Sequence, residues 1–184
     1  MLKDFMEKKL APERRIYLEY SNELWNWQFK QAHWMLRSEL AGELVARRGV
    51  TAWKTEGGER KGTAHPERIG ALISRAFTLW RDQWEGEHRS RVTTVCAVQA
   101  GWADASLRTI HWCHQDRTIN AVSATGYFGA SPENYSSWDS KGAALTAAEV
   151  IQDIWKGLEQ NAGHGSEYQI ATRAKELGLT YLNY

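Results

Sequence analysis

The chain has 184 residues, with 23 Lys and Arg against 22 Asp and Glu, a formal net charge of +1, and 42% hydrophobic residues. This balance excludes extended disorder and the strong basic excess of an electrostatic nucleic-acid binder, so nucleic acid is a possible partner but not the favoured one. Cys96 and Cys113 are too few for a secreted disulfide framework, the opening decapeptide is too polar for a signal peptide, and no apolar run approaches the ~20 residues of a membrane span. A soluble, cytoplasmic protein folding as one domain over 1–184 is the expectation, because this length can bury a core without disulfide or metal staples.

The first expected element is one long helix from Glu13 to about Arg48, opened by Pro12. Tyr17, Tyr20, Leu24 and Trp27 recur at three and four, and Leu36, Leu40 and Leu44 at four, with a break conceivable at Ser21-Asn22. Gly49 is its stop, and residues 49–64 form a Gly-rich charged connection holding a short edge strand at Val50–Thr55. A second helix opens at His65-Pro66. Its face is Ile69, Leu72, Ile73, Ala76, Phe77, Trp80 and Trp84, and Gly86 ends it.

Three β-rich runs follow: Val92–Gln99, Leu107–Gln115 and Thr118–Thr125. With Asp116-Arg117 as a tight turn they read as a three-stranded antiparallel meander. On that geometry His111 and Cys113 share one sheet face, His114 lies on the other, and Cys96 is out of reach of Cys113. No single metal ion can then collect the His/Cys/Asp cluster, so neither a metal nor a cofactor is expected. Residues 126–144 read as a long aromatic loop. Thr146 and Glu149 form a capping box for a helix with Val150, Ile151, Ile154, Trp155 and Leu158. A last helix begins near Ser166 and ends at Leu177-Gly178-Leu179. The expected class is α+β, with two N-terminal helices, the meander and two C-terminal helices.

No catalytic motif stands out. Ten tryptophans do, and Trp is enriched in binding hot spots. The leading expectation is a non-catalytic binding or regulatory protein acting through a protein partner, as a mobile-element accessory protein would. Tyr127, Phe128, Tyr135 and Trp138 in the loop, with Trp53 and Trp102, are the expected contact residues. The alternative is a small hydrolase or transferase that joins the His111/Cys113 face to Glu133 and Asp139. A homo-oligomeric structural protein is the third expectation.

Overall fold

The computed structural model describes residues 2–21, 23–49, 52–55, 58–61, 65–84, 86–125 and 129–183. Helix α1 (Leu2–Lys9) precedes strand β1 (Ile16–Glu19), then α2 (Lys30–Arg37) and α3 (Glu39–Ala46). A hairpin of β2 (Ala52–Thr55) and β3 (Gly58–Lys61) leads to α4 (His65–Arg81) and the short α5 (Gly86–Ser90). Next come β4 (Val92–Val98), α6 (Ala103–Gln115) and β5 (Ala121–Ala124). The chain continues through α7 (Pro132–Lys141), a 3-10 turn at Gly142–Ala144, α8 (Ala147–Asn161), α9 (Ser166–Glu176) and β6 (Thr180–Leu182).

The main sheet is four-stranded and entirely parallel, in the order β1-β4-β5-β6. This overturns the expected antiparallel meander. Residues 107–115 are not a strand but most of α6, the crossover that a parallel β4–β5 pair requires. Asp116-Arg117 is the end of that helix, where Arg117 takes φ 53°. The long N-terminal helix is also absent. Ile16–Glu19 is an edge strand, and two non-glycine residues with positive φ, Ser21 (56°) and Glu23 (49°), turn the chain before α2. Pro12 lies in a turn ahead of β1, held by Arg91, whose guanidinium donates to the carbonyls of Ala11 and Arg14.

Strand order follows chain order, so right-handed crossovers place the intervening helices on one face. There α4, α6 and α9 pack side by side. Cys96 and Val98 of β4 and Val122 and Ala124 of β5 point into this layer. They meet Ile69, Leu72, Ile73 and Phe77 of α4, Ile110 and Cys113 of α6, and Ile170 and Ala174 of α9. Their even numbering is the two-residue period of a strand. At the amino ends of the strands, Thr94 Oγ1 donates to Thr118 O (2.7 Å) and to Asn120 Oδ1 (2.9 Å). Thr180 N donates to Asn120 O (3.1 Å), so Asn120 ties together β4, β5 and β6.

The capping box at Thr146 and the glycine stop at Gly178 hold, whereas Ser166 and Gln169 form no box, the N-cap of α9 being Gly165 without a side-chain cap. Thr146 and Glu149 form the reciprocal box of α8, and Gly178, at φ 70°, follows α9. The expected aromatic loop contains α7 instead, started by Ser131, Pro132 and the side chain of Asn134. Among the described residues no helix is long and apolar enough to cross a membrane.

Candidate functional site

The loops that leave the carboxyl ends of the strands line a crevice, although this one-directional strand order has no topological switch point, the place where open α/β sheets usually hold ligands. Here that crevice has a volume of about 600 Å³. Three segments build its wall: Glu19 and Glu23 to Gln28 after β1, Ala97 to Ala100 with Trp102 at the end of β4, and Ser123 to Thr125 at the end of β5. Glu19, Ala97 and Ser123 are odd-numbered strand positions, on the face turned away from the α4–α6–α9 layer.

The loop after β1 is held by its own polar groups. Asn26 Nδ2 donates to Glu23 Oε2 (2.7 Å), Asn26 N to Glu23 O (2.9 Å), and Gln28 N to Asn26 Oδ1 (3.0 Å). Leu24 is buried, and Trp25 packs partly on the core. Trp27, half exposed, is fixed by two histidines. His33 Nε2 lies 2.8 Å from its carbonyl, and the His65 ring stacks on its indole at 4.8 Å and 17°. The His65 ring is also stacked with that of Trp102, at 6.1 Å and 21°. The imidazole thus stacks with both Trp27 and Trp102, which line the crevice.

His65 opens α4 and is 1% exposed. Burial lowers its pKa from the ordinary imidazole value to about 4, and the positive charge of Arg108 adds to the effect, against a hydrogen bond with the Leu24 backbone. Arg108 is locked in place: its Nε donates to Glu67 Oε1 (2.7 Å), and Asp104 Oδ2 lies 3.5 Å from Nη1. His65 is therefore neutral at pH 7 and acts as a rigid spacer. On the β4 side, Ser106 Oγ donates to Gln99 O (2.7 Å), which anchors the loop before α6. Trp102 is the N-cap of α6 and leaves its first turn without a side-chain cap. The positive end of that helix therefore borders the crevice on one side, with Glu19 and Glu23 across the lining.

Of the residues expected from sequence, Trp102 lies in this crevice. Trp25, Trp27, Glu19 and Glu23 were hidden, because a continuous helix over 13–48 made them core or surface of that helix. The available signal was Ser21-Asn22, whose side chains favour turns over helix interiors. His111 and Cys113 share no face. Two positions apart on α6, they point to nearly opposite sides of the helix. His111 is exposed, with Nε2 2.9 Å from Gln115 Nε2, whereas Cys113 is buried and its thiol donates to Gly70 O (3.4 Å). Nor are Cys96 and Cys113 apart. They are free thiols buried in one core cluster, and their mutual interaction with burial pushes the Cys96 pKa well up.

Glu133 and Asp139 are exposed on α7, where a hydrogen bond with Ser131 holds the Glu133 pKa down. Trp138 is half-buried and donates from Nε1 to Asp153 Oδ2 (3.0 Å), and Tyr135 meets its ring edge-on at 5.4 Å. Trp53 stands on β2, paired with Arg60. Tyr127 and Phe128 lie outside the described residues. Among the described residues no three His, Cys, Asp or Glu side chains gather as a metal site needs.

Fold and crevice together define the class: a one-directional parallel α/β domain with an aromatic, acid-bearing crevice at the carboxyl ends of its strands. In comparisons with known proteins, no family model, no curated protein and no solved structure matches the chain significantly.

Proposed function

We propose that the chain is a binding domain that takes a small planar ligand of the nucleobase kind in the crevice above β1, β4 and β5. One observation carries this reading: Trp25, Trp27 and Trp102 line a single cavity together with Glu19 and Glu23. Indole faces favour a flat π-system, and carboxylates favour ring N–H or amino donors. Asn26, Gln28 and Gln99 can serve either side of a hydrogen bond and so suit a heterocycle with both donors and acceptors.

The test is a titration of purified protein with free nucleobases and nucleosides by calorimetry, using Trp27→Ala and Glu23→Gln variants. Stacking of a base on an aromatic side chain contributes roughly 1–3 kcal/mol, so Trp27→Ala should weaken binding by about 5- to 150-fold. Wild-type protein that binds no member of the panel, or a Trp27→Ala variant that binds equally well, would sink the reading. Recovery of a cleaved nucleoside would add catalysis by the carboxylates, and intact ligand would leave binding alone.

A second reading, action through a protein partner, is supported by a different observation. Helix α8 carries Ile151, Trp155 and Leu158 at helical spacing, yet they are 65%, 61% and 40% exposed. Neither α7 nor α8 contains a fully buried residue among those described, and the two helices are joined by Trp138–Asp153 and Lys141–Glu149. Each large apolar side chain covered by a partner contributes about 1.5–3 kcal/mol. Ile151→Glu with Trp155→Glu should release a protein that co-purifies with wild type from its own cells, with a normal melting temperature. A self-associated mass that the substitutions abolish would assign the face to a second copy. Unchanged association would remove it from any interface.

A further inference from the structure

A second cavity, of about 420 Å³, lies at the opposite, amino ends of the strands. Arg15 before β1, Arg81 at the end of α4 and Arg89 in α5 line it, with Thr93 of β4, Asn120 before β5 and Thr180 of β6. Three arginines face one cavity, and no carboxylate is among its described lining residues. Among the described residues the charge is also unpaired. Neither Arg15 nor Arg89 forms an ion pair with a described residue. Arg81 is oriented by donating from Nη1 to Arg117 O, and its Nε is shut off from solvent with no hydrogen-bond partner among the described residues.

Bringing like charges together costs free energy in a protein whose overall charge is near zero, and an anion relieves that cost. Guanidinium groups present paired N–H donors that match phosphate oxygens two at a time. The neutral donors fit the same ligand. Asn120 uses its side-chain oxygen on Thr94, which leaves its amide N–H groups for the cavity, and Thr93 and Thr180 add hydroxyls. The strands are tied together at this same residue, so the donors sit on a rigid edge.

We propose that this arginine cavity binds the phosphate or diphosphate group of a small phosphorylated molecule. It is a site separate from the crevice, at the other edge of the sheet, and it does not depend on the crevice reading. The experiment is calorimetric titration with inorganic pyrophosphate at fixed ionic strength, on wild type and on an Arg15→Gln, Arg89→Gln double variant. Both arginines are exposed, so the variant should keep the wild-type melting temperature, measured in parallel. Saturable binding that falls at least about tenfold in the double variant is the expected result. No saturable binding near 1 mM pyrophosphate overturns the proposal, as does equal affinity of the two proteins. Tight binding of a single-stranded oligonucleotide with none of pyrophosphate overturns it in favour of a nucleic-acid backbone.

Discussion

His65 shows how a single residue can set the shape of a site without reacting in it. Its ring stacks with both Trp27 and Trp102, and burial keeps it neutral. Its folded pKa, about 4, lies below the ordinary imidazole value of 6.5. The unfolded chain therefore binds the proton more readily, and the stability tied to neutral His65 is full above pH 6.5 and lost as pH falls toward 4. The loss is on the order of 3 kcal/mol. Denaturant melts of wild type and His65→Leu at pH 7 and pH 4 isolate it from the carboxylates, since only wild type contains the imidazole. Parallel losses in the two proteins would show that His65 is not held neutral. Trp102, expected as a contact residue at a turn between two strands, stands instead at the start of α6 and lines the crevice. Sequence reading missed His65, which looked like an ordinary helix opening beside Pro66.

Among the described elements, the α4–α6 contact is the most extensive and was the least legible. Gly70 lies in the interior of α4, where glycine costs about 1 kcal/mol against alanine. A Cβ there would come within 2.7 Å of Trp112 Cβ and 3.1 Å of Thr109 O. Gly70 thus lets the helices approach closely enough for its carbonyl to accept the Cys113 thiol. Gly70→Ala should therefore destabilise the fold by about 1–3 kcal/mol, although alanine is the better helix former, and chemical denaturation reads the sign directly. A stabilised variant would show that the helices can shift at no cost. Helix α6 was misread as a strand because its buried face includes Ser106 and Thr109 beside Ile110 and Cys113. Ser106 is satisfied by Gln99 O, and Thr109 by Pro66 O and Ala105 O, so polar residues occupy positions where a pattern search expects apolar ones. Helix α7 was missed for the opposite reason. It has no buried face among its residues, and only the Ser131-Pro132 start marks it.

At the scale of the whole molecule, strand direction was the decisive unknown. Val92–Val98 and Ala121–Ala124 were recognisable as strands from their apolar, β-branched composition. That β5 is buried at all four positions is the mark of a parallel strand covered on both faces. The connection between β4 and β5 decides the direction, and once residues 103–115 are helical only the parallel arrangement remains natural. The same topology has a consequence for synthesis on the ribosome. Strands β4 and β5 are separated by a single helix and can pair soon after both emerge, whereas Ile16 of β1 pairs with Val92 across everything between them. β1 therefore leaves the exit tunnel long before its partner exists, as an edge strand with unpaired backbone groups. The crevice wall from Glu19 to Gln28 depends on β1 docking, so a nascent chain can close it only once β4 and β5 have been made, while α9 and β6 of the core are still to follow.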